Sequence, residues 1–245
     1  MATSETNPMM PQTETTPMNT VNETTPALHP LAGKPLELAD TLRSGNAWKI
    51  RLACGFMGLA LTRRTFDIVQ GDLETEAFGR INPWRQVPAL LTPEGEWLAE
   101  SQAILWYLGR GTPWLPEGRL EQAQVASWLS FEQTQHMHAY AQPRLLIHLR
   151  RTARVDDPAM VQWRAIGLRA AAWMDAHLAG RSFLVGDAPT IADIALYPYT
   201  SMADEGGYDL SAFTHISAWL ARIRALPGFT PVSYTHLTLP TSDLV

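Results

Sequence analysis

The sequence contains a single cysteine, Cys54, so no intramolecular disulfide can form and a disulfide-stapled secreted fold is excluded. It has no excess of positive charge. The 19 Lys and Arg residues against 24 Asp and Glu residues give a formal net charge of −5, which gives no reason to expect a nucleic-acid-binding face. It has no apolar run long enough for a transmembrane helix and no apolar core of a secretory signal. We therefore expect a globular, cytoplasmic protein.

The two ends of the chain differ in composition from the region between them. Residues 1–30 contain no Lys or Arg and almost no large apolar side chains. They cannot bury enough surface to offset the entropy of ordering, so we expect a disordered tail. Residues 232–245 do not continue the helical pattern before them. They look like the translation of a sequencing-adapter read-through, and we expect a non-native tail in place of the native C-terminus.

The first part of the folded region, residues 31–113, alternates strand and helix patterns in the order β-α-β-α-β-β-α. The predicted elements cover residues 36–42, 50–57, 62–69, 74–79, 87–91, 97–99 and 101–109. Within the first helix Cys54 shares a face with Ile50 and Met57, so a core position is predicted rather than a reactive thiol.

The second part of the folded region, residues 118–231, shows helical patterns alone. They cover residues 119–151 with a kink expected near Pro143, then a helix from Asp157-Pro158 to Gly180, then residues 190–200 and 216–226. Thr190 and Asp193 stand at the N-cap and N3 positions of a capping box, which is a folding signal and not a catalytic one.

Four motifs in this order resemble the cytosolic glutathione transferases, over roughly residues 36–231. They are Ser44-Gly45-Asn46-Ala47-Trp48, Asn82-Pro83-Trp84-Arg85-Gln86-Val87-Pro88, Glu100-Ser101-Gln102-Ala103-Ile104, and Pro189-Thr190-Ile191-Ala192-Asp193. The resemblance implies an α/β thioredoxin-like N-terminal domain that holds glutathione, followed by an all-α domain that helps to hold a second substrate. No metal is expected, and glutathione is the expected co-substrate.

The reacting group is the glutathione thiol, which must become a thiolate to act as a nucleophile. A hydroxyl or amide donor aimed at the sulfur favours the charged form. By position, Ser44 matches the serine of serine-type relatives, and Asn46 is a second candidate. Turn and capping chemistry alone could also select them, with Ser44 as a turn residue and Asn46 as the N-cap of the first helix.

The resemblance also places the residues that bind the rest of glutathione. It implies a cis Val87-Pro88 bond that turns the Val87 backbone outward to pair with an extended peptide, and contact from Gln86. At the start of the next helix, Glu100 and Ser101 would meet the ammonium and carboxylate of the γ-glutamyl end. Ordinary capping, with Ser101 as the N-cap, is the alternative explanation of the pair.

The partner of the glycine carboxylate is left open. Many relatives carry a basic residue before the Asn-Pro motif, but residues 70–74 contain no Lys or Arg. Lys49, Arg80 and Arg85 are candidates for this contact.

Four residues of the long helix are candidates for the second-substrate pocket. They are Phe131, His136, Tyr140 and Arg144. Glu132 and His136 continue the apolar stripe of that helix, so buried polar packing or a dimer contact is an alternative. His136 and His138 are two apart and fall on different helical faces, which argues against a metal site.

The resulting hypothesis is a detoxifying glutathione transferase that joins glutathione to a small electrophile and is a homodimer, as the resemblance implies. Two alternatives keep the same fold: a glutathione-dependent disulfide or peroxide reductase, and a non-catalytic glutathione-binding or regulatory protein. A plain thioredoxin-type oxidoreductase is excluded because there is no Cys-x-x-Cys motif.

Overall fold

The computed structural model describes residues 28–68 and 70–232. Residues 1–27 of the predicted disordered tail lie outside the described residues. So do residues 233–245 of the predicted non-native tail. His29 falls inside the predicted tail but belongs to the folded part, because its Nε2 lies 2.9 Å from the Leu108 carbonyl oxygen and its Nδ1 accepts from the Leu31 N–H. The folded region therefore starts slightly earlier than the sequence predicted.

The N-terminal half has the predicted order of elements. Its strands and helices are β1 (Glu37–Asp40), α1 (Gly45–Phe56), β2 (Thr62–Thr65), α2 (Glu76–Ile81), β3 (Ala89–Leu91), β4 (Trp97–Ala99) and α3 (Ser101–Gly109). The four strands form one mixed sheet in the order β2-β1-β3-β4, with β1 parallel to β2 and antiparallel to β3. The thioredoxin-like α/β fold is thus confirmed.

Three predicted strands are shorter than expected, among them β3, which begins at Ala89 and not at Val87. The first ends at Asp40 and not at Leu42, because the chain turns toward α1 through a Ser44 N–H to Thr41 carbonyl hydrogen bond of 3.1 Å. The second ends at Thr65, four residues before the predicted end at position 69, which lies outside the described residues. Cys54 is in the core as predicted, and burial raises the pKa of its thiol to about 12.

The C-terminal half is all-helical, as predicted. Its α-helices are α4 (Arg119–Phe131), α5 (Met137–Pro143), α6 (Pro158–Leu178), α7 (Ile191–Ser201) and α8 (Thr214–Arg224). Widened π-helical turns, Glu132–His136 and Arg144–Leu149, divide the predicted long helix, and the second follows Pro143 directly. Because Pro143 has no N–H, the Ala139 carbonyl loses its usual helical partner and instead accepts from the Tyr208 hydroxyl.

The capping box of α7 is present as predicted and fixes where that helix begins. Thr190 Oγ1 accepts from the Ala192 N–H at 3.2 Å, and the Asp193 carboxylate accepts from the Thr190 N–H at 2.8 Å. The same carboxylate accepts from the Trp219 indole at 2.9 Å, which ties α7 to α8. α7 in turn packs against α1, so it joins the two halves in one core.

No helix in residues 28–68 and 70–232 combines the length and hydrophobicity needed to cross a membrane. Among the same residues, no group of three or more His, Cys, Asp or Glu side chains is placed to hold a metal ion.

Candidate functional site

Three chain segments predicted to bind glutathione meet at one end of the sheet. In the strand registers Ala89 of β3 is opposite Ala39 of β1 on one side and Ala99 of β4 on the other. The chain that follows β1, the chain that precedes β3 and the chain that follows β4 therefore all leave the sheet at the same end. These segments carry Ser44, Val87-Pro88 and Glu100-Ser101.

Ser44 is the N-cap of α1. Its Oγ accepts a hydrogen bond from the Ala47 N–H at 3.1 Å, and within the described chain its hydroxyl proton has no acceptor. The hydroxyl can therefore still donate outward. Asn46, which capping logic favoured as the N-cap, is instead the second residue of the helix, and its Oδ1 is buried without a hydrogen-bond partner among the described residues.

Tyr199 of α7 packs directly on the Ser44 turn, which sequence reasoning did not foresee. Its ring covers Gly45 so closely that an ideal Cβ at Gly45 would lie 2.7 Å from a ring carbon, so only glycine fits there. The Asn46 backbone N–H faces the Tyr199 oxygen, while burial raises the pKa of the phenol above its usual range. The start of α1 is thus fixed by the helical half.

The bond between Val87 and Pro88 is cis, as the resemblance implied. The preceding loop is held by Asn82, whose Nδ2 donates to the Gln86 carbonyl at 2.7 Å and whose Oδ1 accepts from the Trp84 N–H at 3.0 Å. The strand ladder begins only at residue 89. In the part of the chain that the structure describes, neither the N–H nor the C=O of Val87 forms a hydrogen bond, so both are available to an added peptide strand.

Glu100, and not Ser101, is the N-cap of α3, which corrects the capping alternative. Its backbone has a φ of 67° and a ψ of 114°, a combination that L-residues rarely adopt. No side chain caps the helix, and the first backbone bond runs from the Ile104 N–H to the Glu100 carbonyl. The earlier N–H groups of α3 are therefore open at the sheet end, beside the exposed Glu100 side chain.

A fully buried charge pair lies behind the two open helix starts. The ammonium of Lys49 in α1 is 2.6 Å from Glu132 Oε1, and neither side chain is exposed. Gln102 of α3 donates to the other oxygen of Glu132. Desolvation lowers the pKa of Lys49, although the Glu132 charge works in the opposite direction. The pair joins α1, α3 and the helical half beneath the candidate site.

None of the three candidates for the glycine carboxylate has a free charged group in this structure. Lys49 is paired with Glu132. Arg80 is 2.6 Å from Glu76 on the surface, and Arg85 donates to the Leu73 and Thr75 carbonyls. The structure therefore supports none of the three as the partner of the glycine carboxylate.

The four second-substrate candidates do not share one open surface. His136 and Tyr140 are interior, with His136 Nε2 2.9 Å from Thr200 Oγ1 and the Tyr140 hydroxyl donating to the Gly167 carbonyl. Burial lowers the pKa of His136 to about 3, so it is neutral. Phe131 is half-buried against Trp128, and the guanidinium of Arg144 is used within the protein. A second-substrate role for these residues stays a prediction, and the geometry of His136 and Tyr140 fits the alternative of buried packing.

Comparison with known proteins identifies the family. The N-terminal domain of glutathione S-transferases matches residues 43–110, and their C-terminal domain matches residues 166–227. Glutathione S-transferase 3 of Zea mays is 33% identical over 211 residues, which are 80% of this chain and 91% of the maize protein. The crystal structure of a Pseudomonas fluorescens glutathione S-transferase matches with a TM-score of 0.78 at 36% identity, over 80% of this chain and 98% of its own.

A relative with a different reaction in its name is nearly as similar. Maleylacetoacetate isomerase of Mus musculus is 29% identical over 81% of this chain and 91% of its own. The domain matches and the maize relative show that the chain belongs to the glutathione S-transferase family.

Proposed function

We propose that this protein is a glutathione transferase that binds glutathione at the end of the sheet where α1, β3 and α3 begin. One observation carries the proposal: the unused hydroxyl proton of Ser44 and the backbone groups without internal partners at Val87 and Ser101 open at the same end of the sheet. Unsatisfied backbone groups are costly unless water or a ligand pairs with them. An extended tripeptide with a charged γ-glutamyl end supplies complementary partners to all three.

In this proposal the Ser44 hydroxyl stabilises the thiolate. Its oxygen already accepts from the Ala47 N–H, so its proton is free to be donated to the sulfur. The positive end of the α1 dipole adds to the preference for negative charge at that position. Asn46 is the second candidate, because its NH₂ group could also donate to the sulfur, while its amide oxygen is buried and can only accept.

The γ-glutamyl end fits the start of α3. The open N–H groups of the first turn suit its carboxylate, and the exposed Glu100 carboxylate suits its ammonium. The N–H and C=O of Val87 would pair with the cysteinyl residue of glutathione in the manner of an added strand, with Gln86 beside it.

The bound thiolate would then form a thioether with an electrophilic carbon of a small molecule, either by displacing a leaving group that departs with its bonding electrons or by adding to an activated double bond that then takes up a proton. Isomerisation is a second candidate, favoured by the isomerase among the relatives: the same thiolate would add to a conjugated double bond and leave again.

A disulfide or peroxide reductase that works through a protein thiol finds no support, because Cys54 is buried with a raised pKa. A homodimer and a cytoplasmic location stay predictions from the resemblance.

Titration calorimetry of the full chain with glutathione tests the proposal, together with the ultraviolet absorbance of the bound thiolate as pH is varied. We expect affinity in the micromolar to millimolar range and a bound thiol pKa below that of free glutathione. Ser44→Ala should raise that pKa, and Asn46→Ala should change it less. A folded protein that binds no glutathione would refute the transferase and isomerase candidates alike.

A further inference from the structure

The turn that carries Ser44 is held by two arginine side chains from opposite halves of the protein. Arg51 of α1 donates through Nη2 to the Leu42 carbonyl at 3.1 Å. Arg144 donates through Nη1 to the Arg43 carbonyl at 2.8 Å. These are the two carbonyls immediately before Ser44. The peptide plane that Arg144 holds also contains the Ser44 N–H, which donates to the Thr41 carbonyl.

Arg144 is itself fixed in place. Its side chain is 6% exposed, and its Nε lies 2.6 Å from Glu205 Oε2. The same carboxylate oxygen is 3.4 Å from His148 Nε2. Both Arg144 and His148 lie in the widened turn that follows Pro143, and Glu205 lies in a short 3₁₀ turn after α7. Three side chains of the helical half therefore form one cluster, and the guanidinium of Arg144 projects from it to the Ser44 turn.

We propose that Arg144 is a positioning residue that aims the Ser44 hydroxyl at the glutathione sulfur and so couples the helical half to thiol activation; this rests on the proposed function. A planar guanidinium can donate to a carboxylate and to a backbone carbonyl at once in fixed directions. A lysine ammonium keeps the charge but is a point donor on a flexible stem, so it cannot hold both partners in the same geometry. The proposal thus assigns Arg144 to the Ser44 turn and not to the second-substrate pocket.

The test is a double-mutant cycle on the full chain with glutathione as the probe. The bound thiol pKa is measured from thiolate absorbance for wild type, Arg144→Lys, Ser44→Ala and the double variant. In Arg144→Lys we expect the thiol pKa to rise by about one unit, which is about tenfold less thiolate near neutral pH, with a change in glutathione Kd of only about threefold or less. In the Ser44→Ala background the same substitution should leave the thiol pKa unchanged.

Arg222→Lys is the matched control. Arg222 also donates to a backbone carbonyl, that of Ser182 at 2.7 Å, but on α8 and away from the Ser44 turn. The Arg222→Lys substitution should leave the pKa of the bound thiol at the wild-type value. Should Arg144→Lys fail to fold, Glu205→Gln carries the same expectation, because it removes the charge that orients Arg144 while the guanidinium remains.

The outcomes separate this inference from the proposed function. If wild-type protein binds glutathione without lowering its thiol pKa, the activation mechanism fails and the inference fails with it. If the wild-type pKa is lowered but Arg144→Lys leaves it unchanged, the inference alone is overturned. Equal shifts with and without the Ser44 hydroxyl would show that Arg144 does not act through Ser44, and would also overturn it.

Discussion

Helix N-termini in this protein are built in two different ways. α7 begins in the interior with a closed N-terminus: Thr190 and Asp193 take up its first N–H groups reciprocally, and Asp193 also accepts from the Leu184 N–H and the Trp219 indole. α3 begins at the end of the sheet with an open N-terminus, where Glu100 is the N-cap but forms no capping hydrogen bond. α1 lies between the two: its Ala47 N–H donates to the Ser44 hydroxyl, and its Asn46 N–H faces the Tyr199 oxygen.

The same backbone groups can thus serve stability or binding, but not both. The first N–H groups of any helix have no intrahelical acceptor. At α7 side chains satisfy them, and the gain appears as folding free energy. At α3, and only in part at α1, they are left to solvent or a ligand, and the protein must fix these helices by other contacts. Those contacts come from the helical half: Tyr199 on Gly45, Glu132 on Lys49 and Gln102.

The largest predicted effect comes from removing that support. Glu132→Gln leaves the Lys49 ammonium buried without a carboxylate, so we expect the free energy of unfolding to fall by about 3–5 kcal/mol. Urea unfolding followed by circular dichroism measures it. The matched control is Glu76→Gln, which breaks an exposed pair with Arg80 and should cost about 0.5 kcal/mol or less. Equal losses in the two variants would show that burial of the pair does not matter.

A smaller effect is predicted at the open end of α3. Glycine adopts the positive φ of Glu100 without strain, so Glu100→Gly should raise the free energy of unfolding by about 1 kcal/mol. It should also weaken glutathione binding about tenfold, because the exposed carboxylate is lost. Glu100→Gln separates the two effects: it keeps the strained backbone and should weaken binding without the gain in stability. If Glu100→Gly is less stable than wild type, the backbone at this position is not strained in the way proposed.

Features encoded locally were predicted well from the sequence. The capping box at Thr190 and Asp193 depends on residues three positions apart, so it can be recognised without knowledge of the fold. The strands and helices of the thioredoxin-like half follow from their periodicity. Errors of one residue arose where capping options compete, as with Ser101 against Glu100, because both have groups that can serve a helix start.

Contacts between distant segments could not be predicted in the same way. The charged Glu132 on an apolar stripe indicated burial and therefore a partner, but Lys49 lies 83 positions away in the chain. The only sequence feature that reflects the close approach of Tyr199 is the glycine after Ser44, and glycine is equally typical of an ordinary turn. Arg144 was recognised as a site candidate, and Pro143 indicated a kink beside it, but no local pattern specifies that Arg144 then contacts the Arg43 carbonyl.

Two variants that should lose about the same stability, Thr190→Ala and Ser44→Ala, should differ clearly in their effect on the bound thiol. Thr190→Ala and Ser44→Ala each remove one capping hydroxyl, so each should lower the free energy of unfolding by about 1 kcal/mol. Only Ser44→Ala should raise the pKa of the bound thiol, because the Thr190 hydroxyl is buried in a closed capping box. Chemical unfolding and thiolate absorbance on the two variants give the four values needed. A thiol pKa raised equally in both would mean that the hydroxyl at the open end of α1 acts only as a cap, and that the two kinds of helix N-terminus do not differ in function.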